Sequence, residues 1–187
     1  MISLGTIVRF MELRVQPLTT DLWPAIEDLF ESGTACKRCW CMYWRIGAAY
    51  RKRPPAVNKE AFHGIVEEGP PPGLLAFDGA TAVGWCQLSP RDSLPWLDRT
   101  HPLKRVDALP VWCISCFFVR KGYRKKGVTA ALIREALNAA RNAGAPALEA
   151  YPLDADLTSS SSWTGFASTR VVAKWRWQAP QRVPVKS

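Results

Sequence analysis

Hydrophobic and polar positions change period several times along the first half of the chain. Residues 12–18 alternate and predict a strand. Residues 20–33 predict a helix with Thr20 as its cap and Gly33 as its end. Its apolar face consists of Leu22, Ile26, Leu29 and Phe30. Residues 34–47 are rich in cysteine and aromatic side chains and show no clear period.

The middle of the chain contains a helix and a hairpin. Residues 57–69 are amphipathic and predict a helix with Asn58 as its cap. Residues 70–90 predict two strands joined at Asp78-Gly79, because Asp-Gly is a strong signal for a hairpin turn. Residues 91–110 contain several prolines and predict a loop with one short helical turn.

The second half predicts a strand, a helix and a strand. Residues 111–119 are almost continuously apolar, as in a strand that is covered on both faces. Residues 126–144 predict the longest helix, which ends at Gly144, and residues 146–153 predict the next strand. The apolar stripe of this helix consists of Val128, Leu132, Ala136 and Ala140. The fold class is therefore α/β with a mixed sheet.

Composition restricts the class of protein. The chain has 187 residues, of which 48% are hydrophobic, and this suffices for one domain with a sizeable core. No apolar run is long enough to span a bilayer, and residues 1–10 lack the features of a signal peptide. We therefore expect a cytoplasmic protein without a membrane partner, with Met11 as the start of the domain. Six cysteines in such a protein are expected to be reduced thiols.

Positive charge is concentrated in two places. The formal net charge is +9, and the segment after Asp156 contains five basic residues and no acid. Basic tails bind nucleic acid in some proteins, and a solvated end that maintains solubility is the other interpretation. The second concentration lies between two apolar segments and consists of Arg120, Lys121, Arg124, Lys125 and Lys126.

This second group lies in a turn between a predicted strand and a predicted helix. The first turn of a helix has unpaired main-chain N–H groups, and glycine lets an anion approach them closely. Gly127 at the start of the helix therefore predicts a phosphate site, although a solvated basic turn is an equal alternative. The spacing from Gly122 departs from a P-loop at Val128, which stands where the P-loop lysine belongs. The chain also has no GxGxxG, so nucleotide hydrolysis and dinucleotide binding are disfavoured.

Residues 124–129, RKKGVT, resemble the [QR]-x-x-G-x-[GA] pyrophosphate loop of the GNAT superfamily of N-acetyltransferases. The resemblance extends over residues 12–153, and the segments CWCMYWR, CFFV and WTGFAS are similar to a bacterial branch without an assigned acceptor. Thr129 departs from the motif, where Gly or Ala is usual. The resemblance implies a mixed, mostly antiparallel sheet flanked by helices. It places the domain at residues 11–169 and leaves an atypical basic tail at residues 170–187.

The resemblance also implies acetyl-CoA as co-substrate and an amine as acceptor. The pantetheine arm would follow the main chain of Phe117, Phe118 and Val119. The pyrophosphate would bind the amides of Arg124, Lys125, Lys126, Gly127, Val128 and Thr129. The implied reaction is direct attack by a primary amine in a ternary complex, with an acyl-enzyme on Cys116 as the less favoured alternative. We do not expect nucleic acid as a partner, and a homodimer remains open.

Two residues are candidates for proton transfer. GNAT enzymes often use a tyrosine after the strand that follows the loop, and Tyr151 lies there. Glu149 lies two residues earlier on the same strand face and is the candidate base. A tyrosine that only packs at the strand end is the alternative for Tyr151.

The cysteines also allow a zinc site, but we expect no metal. Residues three apart in a regular strand point to opposite faces, so Cys113 and Cys116 would need a β-bulge to share an ion. Residues 36–41, CKRCWC, with His63 or His101 form the other candidate ligand set. Buried, inert thiols are favoured over both. The neighbouring Trp40, Met42, Tyr43 and Trp44 are expected to form core or the wall of an acceptor pocket.

The C-terminus leads to two rival functions. Residues 174–177 alternate and allow one edge strand, after which residues 179–184 break the pattern. We interpret this end as truncated or frame-altered, with the last strand pair missing. One rival is therefore a non-catalytic CoA-binding or interaction protein with a degraded acceptor site. The other is a nucleic-acid binder that uses the basic turn and the tail.

Overall fold

Six strands form one sheet in the computed structural model, which describes residues 12–105, 107–151 and 173–176. The strands are β1 Leu13–Pro17, β2 Gly73–Asp78, β3 Thr81–Pro90, β4 Trp112–Val119, β5 Ala147–Ala150 and β6 Ala173–Arg176. Their order in the sheet follows their order in the chain. Neighbouring strands are antiparallel except β4 and β5, which are parallel. The predicted α/β class with a mixed, mostly antiparallel sheet is confirmed.

Helices cover both faces of this sheet. They are α1 Trp23–Glu31, α2 Thr34–Cys39, α3 Tyr43–Ile46, α4 Pro55–Glu68, α5 Trp96–Arg99 and α6 Val128–Asn142. On one face, Phe30 of α1 and Phe62 of α4 pack in a cluster with Trp85 of β3. On the other face, Leu132 of α6 packs in a cluster with Ile114 of β4. Each face of the sheet thus contributes its own layer to the core.

The predicted strand–turn–helix around the basic residues is confirmed. The predicted apolar stripe of α6 is buried. Its first residue, Val128, packs so closely on β3 that a Cβ added at Gly84 would lie 2.4 Å from Val128 Cγ1. Gly84 therefore permits the close contact that fixes the start of α6 over the sheet.

The predicted cap of the second helix is wrong. This helix, α4, begins at Pro55, so Asn58 lies inside it and is fully buried. The Asn58 amide donates hydrogen bonds to the carbonyl oxygens of Arg38, at 2.8 Å, and Tyr50, at 2.9 Å. Asn58 thus anchors the preceding segment to the helix, and proline at the first helical position starts the helix instead.

Short helices account for the other differences. Residues 34–47 contain α2 and α3, which are too short to show a helical period. Thr20 begins a 3-10 turn instead of capping α1, which starts at Trp23. The predicted loop 91–110 contains α5 and two 3-10 turns, where one helical turn was predicted.

Part of the C-terminal segment joins the sheet. Residues 173–176 form β6 and pair with β5, in agreement with the predicted edge strand at residues 174–177. Residues 152–172 and 177–187 lie outside the described residues, so the interpretation of a truncated or frame-altered end stays a prediction. Within the described ranges, no helix has the length and apolar character needed to cross a membrane.

Candidate functional site

The centre of the sheet contains an open strand edge. Parallel pairing between β4 and β5 covers Trp112 to Ile114 and ends where Ile114 pairs with Ala150. On its other side, β4 continues to pair with β3 as far as Val119. In the described chain, residues 115–119 therefore have one edge without a neighbouring strand. An extended ligand can add to such an edge through main-chain hydrogen bonds.

A β-bulge marks the point where the two strands part. Gln87 pairs with Cys116 and Leu88 pairs with Ile114, so Ser115 is the extra residue on β4. The Ser115 hydroxyl donates to Gln87 Oε1 at 2.9 Å, and Trp44 Nε1 donates to the Ser115 carbonyl oxygen at 2.9 Å. The bulge is thus held from both sides. The sequence analysis did not locate it, and no residue pattern indicated it.

The loop after β4 presents unpaired main-chain amides. Gly127 has φ of +80° and lies directly before α6, in the left-handed region that glycine adopts readily. Among the described residues, the main-chain N–H groups from Arg124 to Ala130 form no hydrogen bond. A Cβ at Gly127 would have no heavy atom within 4 Å, so the space above these amides is open. Unpaired amides at the start of a helix are groups that an anion can bind, and the phosphate site itself stays a prediction.

The basic side chains of this turn fall into two groups. Arg120 is held in place, because its guanidinium pairs with Asp28 and donates to the Ala82 carbonyl oxygen at 3.1 Å. The others are solvent-exposed: Lys121, Arg124, Lys125 and Lys126. These four can attract phosphate, whereas Arg120 ties the turn to α1 and β3.

The residues predicted to line the pantetheine arm lie on the open edge. The side chains of Phe117 and Val119 pack with the α6 layer, and the side chain of Phe118 packs with the α1 layer. All three side chains thus serve the core, and the main chain at this edge is what a ligand would meet. Their role as ligand contacts stays a prediction.

The predicted acid and base lie together in a polar cluster beside the bulge. Tyr151 directly follows β5, and its hydroxyl donates to Glu149 Oε2 at 3.0 Å. Arg91 Nη1 donates to the same carboxylate oxygen at 3.0 Å and also to the Tyr151 hydroxyl. Glu149 is almost fully buried, whereas Tyr151 is half-buried and forms the accessible end of the cluster. The structure brings the two residues together, and their catalytic roles stay predictions.

Arg91 connects this cluster to the segment after β3. The guanidinium is 2% exposed and also donates to Asp98 Oδ1 at 2.7 Å and to the Leu103 carbonyl oxygen. Charges of this kind are buried only when paired and hydrogen-bonded. The sequence analysis missed Arg91. An arginine directly after a buried strand was the available signal, but its partner Glu149 lies 58 residues away.

Burial sets the protonation state of Tyr151. Burial raises the pKa of its phenol well above the usual range. The nearby Cys113 raises this pKa further, and Arg91 lowers it. The hydroxyl therefore keeps its proton at neutral pH and directs it toward Glu149.

A scan against protein-family models decides the family. The model of the acetyltransferase (GNAT) family matches residues 25–159, which is most of the chain. The chain belongs to the GNAT family. Membership supports acyl transfer from a CoA thioester to an amine in general terms. A search of curated proteins finds no match.

Solved structures with the same fold include several acyltransferases. The PaiA N-acetyltransferase of Thermoplasma acidophilum, in complex with coenzyme A, is 12% identical, with 89% of this chain and 100% of that chain covered and a TM-score of 0.51. The polyamine N-acetyltransferase of Drosophila melanogaster is 11% identical over 76% of this chain and 77% of that chain, with a TM-score of 0.54. The C-terminal condensation domain of Ebony, in complex with β-alanyl-dopamine, is 10% identical over 89% of this chain and 100% of that chain, with a TM-score of 0.59. At these identities the likeness shows the shared fold.

The cysteines of this GNAT protein are free thiols, and all except Cys116 are buried. The bulge at Ser115 brings Cys113 and Cys116 to the same sheet face, so the regular-strand premise used against a shared zinc ion is wrong. The two thiols nevertheless have different surroundings: Cys113 packs near Trp44, and Cys116 hydrogen-bonds with Cys41. Within the described part of the chain, no group of three or more His, Cys, Asp or Glu side chains can hold a metal ion.

The other thiols and the aromatic run belong to the core. Burial raises the pKa of Cys39 to about 11 and that of Cys86 to about 12, which makes both thiols poor nucleophiles. His63 of the candidate ligand set packs against Trp23 instead, with the rings tilted and 4.3 Å between their centroids. The prediction of core is confirmed for the three members of the run that are buried, Trp40, Met42 and Trp44.

Proposed function

We propose that this protein is an N-acetyltransferase that moves an acetyl group from acetyl-CoA to a primary amine by direct attack in a ternary complex. One observation carries the proposal: the open edge of residues 115–119 leads directly into the unpaired amides around Gly127. In this proposal the pyrophosphate binds those amides and the extended arm follows that edge. The thioester end then lies near Ile114 and the bulge.

The same end of the edge holds the proton-transfer residues. Ala150 pairs with Ile114, so Tyr151 comes next on the strand that departs from β4. Tyr151 accepts the proton that the attacking amine loses, while its own proton passes to Glu149 Oε2. Tyr151 then donates a proton to the departing thiolate, and Glu149 returns its proton to Tyr151. The amine proton thus ends on the sulfur, and the cluster regains its initial state.

Arg91 is the positioning residue of this relay. Arg91 donates to the Glu149 carboxylate and to the Tyr151 hydroxyl, and its charge balances the buried carboxylate. Asp98 and the Leu103 carbonyl oxygen fix the other side of the guanidinium. Arg91 therefore holds the Tyr151 hydroxyl in one orientation.

A primary amine as acceptor is supported by the family and by the names of structural neighbours, which include a polyamine N-acetyltransferase. The test is the initial rate of thiol release from acetyl-CoA with a panel of primary amines. We expect amine-dependent turnover with intersecting double-reciprocal lines, as for a ternary complex. Parallel lines would contradict direct attack and favour an acyl-enzyme.

A CoA-binding protein without turnover is the second candidate. The observation that favours it is the mutual bonding of Tyr151, Glu149 and Arg91, which also describes a purely structural cluster. Saturable acetyl-CoA binding with no thiol release for any amine would support this candidate.

A further inference from the structure

We infer that Arg45 binds a carboxylate on the acceptor, and that the acceptor is therefore an amine that also carries a carboxylate group. This inference rests on the proposed function and adds a substrate class to it. It begins from a comparison of two arginines at the end of β3. Arg91 pairs with Asp98 and Glu149, whereas Arg45 forms no ion pair with any described carboxylate.

Arg45 lies on α3 and is half-buried. Its Nη1 donates to the Ser93 carbonyl oxygen at 3.2 Å, and its Nη2 donates to Ser89 Oγ over a long 3.4 Å. Its Nε is buried and forms no hydrogen bond with the described residues. Burial lowers the pKa of Arg45, in agreement with its buried Nε and with the lack of a paired carboxylate among the described residues. A desolvated guanidinium without a paired carboxylate is stabilised when it binds an anion.

The sheet register places Arg45 beside the proton relay. Ser89, which contacts Arg45, pairs with Cys113 on β4, and Cys113 pairs with Glu149 on β5. Directly paired residues point to the same face, so these three side chains form a row across the sheet. Cys113, in the centre, packs in one cluster with Tyr151 and with Trp44, the neighbour of Arg45 on α3. Arg45 and Tyr151 thus lie on the two sides of Cys113.

The position excludes a CoA phosphate as the anion. The pyrophosphate site follows Val119, six residues along β4 from Cys113, which corresponds to about 20 Å in a strand. A phosphate at Gly127 therefore cannot reach Arg45. Since none of the described carboxylates pairs with Arg45, we assign the anion to the other reactant.

The test compares each amino acid with its amide, which keeps the amine and removes the carboxylate charge. We propose the pairs β-alanine and β-alaninamide, and glycine and glycinamide, as acceptors in the thiol-release assay. We expect a kcat/KM for the acids about 10- to 100-fold above that for the amides. Arg45→Gln should remove this preference, and Arg45→Lys should restore part of it.

Arg51→Gln is the matched control. Arg51 is exposed and lies five residues after Ile46, the last residue of α3. Its guanidinium contacts the Tyr50 ring and hydroxyl. We expect it to leave the preference unchanged. Equal kcat/KM values for acid and amide in the wild type, or an equal loss for both in Arg45→Gln, would overturn the inference while the proposed function stands.

A binding measurement separates the inference from turnover. N-acetyl-β-alanine should bind the CoA-loaded wild-type protein, and its amide should bind at least about tenfold more weakly. If no amine is turned over but this difference is present and is lost in Arg45→Gln, the proposed function fails and the carboxylate site stands. If the two compounds bind equally, the carboxylate site is contradicted whatever the turnover.

Discussion

The two ends of β4 differ in how their chemistry is assembled. At the Val119 end, one continuous segment of exposed glycine, lysine and arginine residues presents unpaired amides. At the Trp112 end, a buried cluster combines Arg91, Glu149 and Tyr151 from separate parts of the chain. In our proposal the first end binds through main chain, which few substitutions affect. The second depends on individual side chains, each with several partners.

The comparison predicts that a single change at the buried end has the largest effect on stability. Arg91→Met removes the positive charge that balances the buried Glu149 carboxylate. We expect a loss of about 3–5 kcal/mol in the free energy of unfolding, measured by urea denaturation. Arg99→Met, at an exposed arginine of α5 that stacks on Trp96, should cost less than about 1 kcal/mol. Similar losses in the two variants would show that the cluster is not a stabilising ion pair.

Catalysis should be lost at the same end without loss of CoA binding. Tyr151→Phe removes the hydroxyl that donates to Glu149 and leaves the ring in place. We expect kcat to fall about 100-fold or more, since proton transfer contributes on this scale, with an unchanged Kd for acetyl-CoA. An unchanged kcat would assign Tyr151 to packing alone.

Asp98 provides a smaller effect that depends on pH. Burial raises its pKa, but hydrogen bonds from Arg91 and Arg105 outweigh this and lower the pKa below its usual range. The contribution to stability is therefore present above about pH 4, the ordinary value for Asp, and is lost as the pH falls through the lower folded value. Asp98→Asn should show a shallower loss of stability between neutral and acid pH. Parallel acid transitions for wild type and variant would contradict this assignment.

The smallest effect is expected at Cys116, which lies beside the bulge but has no role in direct attack. Cys116→Ser should change kcat/KM by less than about threefold, because serine keeps a hydrogen-bonding group next to Cys41. An acetyl group found on Cys116 by mass spectrometry, together with a loss of at least about 100-fold in the serine variant, would establish the acyl-enzyme instead.

The same difference explains what the sequence could predict. The loop from Arg124 to Thr129 and the helix after it are local, so their residue pattern was sufficient. Two features of the buried end had no local signal. The bulge at Ser115 arises from a mismatch in register between β3 and β4, and Arg45 reaches Ser89 from a helix of four residues. Asn58 was misassigned because asparagine suits a helix cap as well as a buried bridge between two carbonyl groups.

The most direct test of the central claim is calorimetric titration of acetyl-CoA into the wild type, Gly127→Asn and Gly127→Asp. Asparagine and aspartate both tolerate the left-handed conformation at this position and differ mainly in charge. We predict micromolar binding to the wild type, weaker binding to the asparagine variant and no detectable binding to the aspartate variant, whose carboxylate lies where the pyrophosphate binds. Equal affinities for the two variants, or no binding to the wild type, would contradict a coenzyme A site at this loop.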